Sequence, residues 1–208
     1  MLKNTFLFAA FFLLFAACND TVGQVSEPEV INTMSQSAIP EVPELKGDNW
    51  VIKVVDGTIK SPRKELIGTI AEVPLVINYG SPAVNERTIY GDLVPYNKVW
   101  RTGANEATRI TFQQDVMVGE ANKKLAAGTY ALFTLPSSKD EWTVIFNKVA
   151  DQWGAYDYEE GADAARIKGM AKPNPARAER MNFALDGNAV QLMWDDLVIA
   201  FPVASAGK

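Results

Sequence analysis

Apolar residues along most of this chain recur with a period of two. Ile110, Phe112, Val116 and Val118 fall on one parity, as do Met181, Phe183 and Leu185, and again Val190, Leu192 and Trp194. Such alternation sets one face of a strand on a core and turns the other away from it. Trp142, Val144 and Phe146 alternate with Thr143, Ile145 and Asn147, which predicts a strand buried on both faces. Residues 50–55 are a β-branched apolar run ending in Asp56-Gly57, a turn signal. Residues 66–70 and 75–79 read as two strands, or as one long strand broken near Pro74. Further strands are expected at 125–135, 166–170 and 197–203, with a short strand or turn at 87–92. Between them lie a polar hairpin loop at 119–124, turns at 136–140, 186–188 and Asp195-Asp196, a loop at 172–178 holding Pro173 and Pro175, and one helical turn within 159–165. Short strands between Gly, Pro and Asp turns, without a long helical period, predict an all-β fold. The expected form is an antiparallel β-sandwich or jelly-roll-like barrel with at most short helical turns.

The pattern changes ahead of residue 49. Residues 6–17 are continuously apolar and follow Lys3. The run is shorter than the roughly 18 residues of a membrane-spanning helix and reads as an export signal over 1–17. It ends in Ala16-Ala17-Cys18, and Leu14-Phe15-Ala16-Ala17-Cys18 resembles a bacterial lipoprotein box, which implies a lipid on Cys18 as the new N-terminus. An ordinary cleaved signal would instead leave a free thiol there with no role. Residues 18–48 hold Pro28, Pro40 and Pro43 among Glu, Ser and Asn, with no sustained period. They read as a disordered tether spanning roughly 30 Å, and 49–208 as a single β domain.

Composition narrows the chemistry. A hydrophobic fraction of 48% in 208 residues supports one substantial core. The net charge of -5 and the lack of a basic cluster argue against nucleic acid as a partner. The chain has no histidine, which removes Ser-His-Asp and Cys-His catalysis and the usual zinc sites. Its single cysteine permits neither an intrachain disulfide nor a thiolate metal cluster. Asp157, Glu159 and Glu160 lack the ligand order of a calcium loop, so no metal and no cofactor are expected.

The polar and aromatic side chains are densest at residues 100–108, where Trp100, Arg101, Asn105 and Glu106 surround Gly103. Arginine brings a planar fork of donors, asparagine both polarities, and glutamate an acceptor or base. Two readings fit. In one, Arg101 pairs with Glu106 as an internal brace and Trp100 fills the core. In the other, the group holds a carboxylate, a sugar or a peptide end. Trp153, Tyr156 and Tyr158 follow a turn and suit either an aromatic binding platform or rings capping the end of the fold. Trp142 and Trp194, inside alternating strands, read as core.

Several segments together resemble one family. They are Tyr79-Gly80-Ser81-Pro82, Leu93-Val94-Pro95-Tyr96, the run 99–108 (VWRTGANEAT), 127–133 (AGTYALF), 141–147 (EWTVIFN) and 152–158 (QWGAYDY). In this order they resemble the domain-of-unknown-function 2911 family over about residues 61–203. The resemblance implies an exported cell-envelope protein of a Gram-negative bacterium. It implies no activity.

Two functions are therefore expected in competition. One is a noncatalytic envelope lipoprotein, held at the outer membrane's periplasmic face through Cys18, that binds a glycan, a peptide or another envelope protein through Trp100, Arg101, Asn105, Glu106, Trp153 and Tyr156. The other is a histidine-free hydrolase acting on envelope or carbohydrate material, with Glu106 as acid or base and Arg101 orienting the substrate. A glycosidase mechanism needs two carboxylates about 5–9.5 Å apart, and Asp157 is the nearest second one the sequence offers.

Overall fold

The structure, a computed structural model, describes residues 45–207. The signal segment, Cys18 and most of the tether lie outside them. The strands are β1 (Lys46–Gly47), β2 (Trp50–Asp56), β3 (Arg63–Ile70), β4 (Val73–Gly80), β5 (Thr108–Phe112), β6 (Val116–Val118), β7 (Lys123–Leu125), β8 (Gly128–Pro136), β9 (Glu141–Asn147), β10 (Asp163–Asp186) and β11 (Ala189–Ser205). They form one sheet in the order β1-β2-β3-β4-β5-β8-β9-β10-β11-β6-β7, with every pair antiparallel. The sheet curls into a half-barrel, so the fold is all-β and antiparallel. The helical turn expected near 159–165 is a single 3-10 turn at Glu160–Ala162.

The alternating residues line the inside of the curl. Leu66, Ile77, Tyr79, Ile110, Phe112, Phe146, Phe183, Trp194 and Phe201 belong to one continuous core. The curl is held across its open side by the far end of β10. Trp50 Nε1 donates to Leu185 O at 2.9 Å, Ser81 Oγ donates to Met181 O at 2.7 Å, and Val84 N–H donates to Glu179 O at 2.7 Å. Strand β9 is buried on both faces as its pattern predicts. Val144 and Phe146 join the main core, while Ile145 packs with Phe133, Ala131 and Ala107 in a second cluster on the other face.

Pro74 marks no break between two halves of one strand. It lies inside β4, opposite Thr69, and its carbonyl accepts from Gln113 N–H just past the end of β5. A missing N–H beyond the last rung of a neighbouring strand breaks no ladder bond.

Two expected connections belong instead to strands. The loop at 172–178 is part of β10, which runs on through Pro173 with register shifts between Pro173 and Ala178 and between Ala178 and Asn182. Asp195-Asp196 is no turn but an irregularity within β11, facing those shifts. Pro175 falls among the extra residues that bulge out of the pairing, whereas Pro173 is still paired, opposite Leu197. Arg177 and Asp195, both at positive φ (45° and 47°), pair their side chains across it, and Asn174 Nδ2 donates to Asp195 O at 3.2 Å.

Candidate functional site

Strands β4 and β5 are neighbours, yet residues 81–107 separate them in sequence. This excursion crosses one end of the curled sheet and is fastened to it along its length. Asn97 N–H donates to Pro136 O, Trp100 N–H donates to Thr134 O, and Thr134 N–H returns a bond to Trp100 O. Tyr90 Oη donates to Trp194 O at 2.8 Å, its phenol pushed far up by burial and by nearby Asp195 and Asp196. The backbone of the excursion is thereby tied to the sheet at several points.

Residues 100–108 form the tightest part. Trp100 is buried and stacks on Trp194, with ring centroids 5.7 Å apart and planes 18° from parallel. Thr102 is fully buried at φ 56°, a region a β-branched residue rarely occupies. It is held there by hydroxyls: Thr102 Oγ1 donates to Trp100 O at 3.3 Å and lies 3.2 Å from Thr134 Oγ1, and Thr108 Oγ1 donates to Thr102 O at 2.7 Å. Asn105 is also at positive φ, 64°. Strained residues persist only where their surroundings overdetermine them, and they concentrate at functional sites.

This backbone puts Arg101 on the wall of a cleft of about 290 Å³, shared with Trp100, Asn105 and Trp194 and with Lys60 and Arg87. Arg101 is partly buried, and its Nε has no hydrogen-bond partner although it is out of contact with solvent. Among the described residues it enters no ion pair. Burial pulls its guanidinium below the usual arginine range, and the Tyr156 phenol acts in the opposite sense from close by. The indole Nε1 of Trp194 is likewise buried and unpartnered.

The expected Arg101–Glu106 brace does not form. Glu106 is taken by Arg63, at the start of β3, with Nη1 to Oε2 at 2.6 Å. The brace exists with a different arginine, and Arg101 is left over. No acidic residue lines the cleft beside Arg101, so Glu106 finds no second carboxylate there.

The two candidate stretches meet. Ala107 N–H donates to Gln152 O, Gly154 N–H donates to Asn105 O, and Glu106 and Trp153 form an isolated bridge. The three rings of the second stretch then divide. Tyr158 packs edge-on against Phe133 at 5.0 Å and donates to Asp163 Oδ2 at 2.7 Å, so it caps the outer cluster. Trp153 is 60% exposed and Tyr156 83% exposed, so neither contributes to the core. Asn147, at the end of β9, holds the base of this loop by donating to Glu159 O at 3.0 Å and to Asp163 Oδ1 at 2.8 Å.

Lys60 and Arg87 join the cleft without having been singled out by sequence, and Trp194, read from sequence as core, is core and also reaches the cleft. Arg87 is fixed there by its own turn, Nε donating to Val84 O at 3.0 Å and Nη2 to Ala83 O at 2.6 Å. Trp194 carried a signal, its alternation in β11, but that signal reports burial and not the cleft at its edge.

A family model described as a protein of unknown function (DUF2911) matches residues 61–203. No curated protein and no solved structure matches the chain.

Proposed function

The chain belongs to the DUF2911 family, a family of unknown function, and from that premise we propose that it is a membrane-tethered envelope lipoprotein whose β domain is a noncatalytic ligand-binding module. The lipid sits on Cys18, and residues 19–48 hold the domain off the periplasmic face of the outer membrane. The ligand is a glycan, a peptide or an exposed group of another envelope protein. It enters the cleft walled by Trp100, Arg101 and Asn105, and Trp153 and Tyr156 stand on the adjoining loop as exposed aromatic surface.

One observation carries this reading. Arg101 is held on a cleft wall with a desolvated, unpartnered Nε, while the carboxylate nearest in sequence is committed to Arg63. A protein optimised only for stability would not leave a buried donor unsatisfied, since that costs about 1–3 kcal/mol. The same arrangement weighs against carboxylate-based hydrolysis, because Glu106 is engaged and the cleft lacks a second carboxylate.

The test is a thermal-shift screen of the soluble domain against envelope-derived glycans and peptides, run in parallel on Arg101→Ala. Ligands that raise Tm in the wild type and not in the variant are the expected result. A folded Arg101→Ala protein that keeps every interaction would overturn the reading. The tether is tested separately, by metabolic labelling with an alkyne fatty acid. The wild type should be labelled and Cys18→Ala should not.

A further inference from the structure

The lining of the cleft is charged in the opposite sense to the molecule. The chain carries a net charge of -5, yet the cleft wall presents Lys60, Arg87 and Arg101 and no aspartate or glutamate. Lys60 and Arg87 are exposed, at the rim, whereas Arg101 is partly buried. Two N–H groups on the lining residues, Arg101 Nε and Trp194 Nε1, are desolvated and unpartnered. Trp194 is 1% exposed, so bulk solvent does not reach its ring. Ser61, Asn85 and Asn105 share the remaining wall with Pro82, Ala83 and Leu93.

We propose that this cleft binds a carboxylate group carried on a small ligand, with Arg101 as the anchoring residue. The assignment rests on the binding-module reading above. The two Nη groups of Arg101, which enter no ion pair among the described residues, present parallel donors that match the two oxygens of a planar carboxylate. The rim cations enter no ion pair among the described residues, so their charge is left to attract the anion. Phosphate is the rival anion for the same cations, and direct titration separates the two. The volume, near the lower limit for ligand pockets, suits one acidic sugar residue or the carboxyl end of a peptide.

The experiment is isothermal titration calorimetry on the soluble domain with matched pairs of probes. Sodium D-glucuronate is compared with D-glucose, N-acetylalanine with N-acetylalaninamide, and inorganic phosphate is titrated alone. Binding is expected for at least one carboxylate and for neither neutral counterpart, and which carboxylate binds separates the sugar source from the peptide source. Arg101→Gln should weaken it by about tenfold or more. Arg109→Gln, which removes an exposed pairing with Asp151 on β5, should leave it unchanged. Equal binding of acid and neutral probes, binding of phosphate in place of the carboxylates, full retention in Arg101→Gln, or no binding by any probe would each overturn the assignment. If the thermal-shift screen meanwhile returns an uncharged ligand that depends on Arg101, the binding module stands and only its carboxylate chemistry is lost.

Discussion

Arg63 Nη1 lies 2.6 Å from Glu106 Oε2, and this pair locks the start of β3 to the loop that carries Arg101. The arginine side chain is 13% exposed and the glutamate 43%. The two ends are therefore unequal. Removing the carboxylate strands a largely buried guanidinium, whereas removing the guanidinium lets Glu106 rehydrate. Glu106→Ala is expected to cost about 2 kcal/mol. Arg63→Met, which keeps a long side chain in place, should cost about 1 kcal/mol. Urea midpoints of both variants decide the point, and equal or reversed costs would contradict it.

That pair also shows where sequence reading stops. Arg63 and Glu106 are 43 residues apart, and nothing local marks them as partners. Arg101 and Glu106 share one loop, and proximity in sequence made them the natural pair. Strands were legible because a half-buried strand must alternate. Ile145 was legible as a buried outer-face residue because it is apolar on the parity opposite Trp142, Val144 and Phe146. The continuity of β10 was not legible, since Pro173 beside a bulge and Pro175 within it carry the same local signal as in a loop. The family resemblance reached residues 61–203, the range that the family model matches, yet it conveyed neither a ligand nor the cation-lined cleft. The cleft is made by Lys60, Arg87, Arg101 and Trp194, which only the curl of the sheet brings together.

The approach of the loop to β4 depends on two glycines. A Cβ on Gly80 would sit 2.2 Å from Ala104 O, and one on Gly103 would sit 3.0 Å from both Gly80 O and Thr108 Oγ1. The first collision is with backbone and cannot be relieved by a rotamer change. Gly80→Ala should destabilise by about 3 kcal/mol or more and Gly103→Ala by about 1–2 kcal/mol. Gly161→Ala, with nothing within 4 Å, serves as the control and should stay within about 0.5 kcal/mol. A Gly80→Ala protein as stable as the control would mean that the loop is not packed on β4 as described.

The β3–β4 hairpin has stability in reserve. Ala71 and Glu72 form its two-residue turn at φ 45° and 63°, closed by the pair Ile70–Val73. Positive φ at both central positions defines a turn that favours Asn-Gly. Neither alanine nor glutamate suits it, and an ordinary L-residue loses about 1–2 kcal/mol in this region. Replacing Ala71-Glu72 with Asn-Gly should raise stability by about 1–2 kcal/mol in denaturant titration. An unchanged or lower midpoint would refute the turn geometry.

Buried phenols make alkaline pH destabilising. Burial raises the pKa of Tyr79 and Tyr90 well above the phenol's usual 10.0 and pushes Tyr158, which also donates to Asp163, up to about 12. A group whose folded pKa is raised adds stability that is complete below its unfolded value and is lost as pH climbs through the folded one. The loss therefore begins near pH 10. Lys64, lowered by burial and by Arg180, works the other way just below its usual 10.5, but it is one group against these three phenols and Tyr130, which burial also raises. Urea midpoints should fall between about pH 8 and about pH 11, and less steeply in Tyr79→Phe. A midpoint that holds or rises over that interval would rule the mechanism out.

Arg101 offers the sharpest separation between a brace and a binding residue. A bracing arginine gives up stability when it is removed, because its partner is left unpaired. Arg101 has no ionic partner among the described residues, its Nε is desolvated, and Glu106 keeps Arg63 whatever stands at 101. Replacing it with methionine removes an uncompensated buried donor and keeps the stem's packing against the cleft wall. Arg101→Met should thus leave the free domain as stable as the wild type or more stable by about 1 kcal/mol. Residues kept for binding at the expense of the fold behave in this way. The same variant should lose the ligand-induced rise in Tm. Stability and binding then move in opposite directions, which a structural role does not produce. A loss of about 2 kcal/mol in the free domain would return Arg101 to the scaffold and remove the residue on which the binding proposal stands.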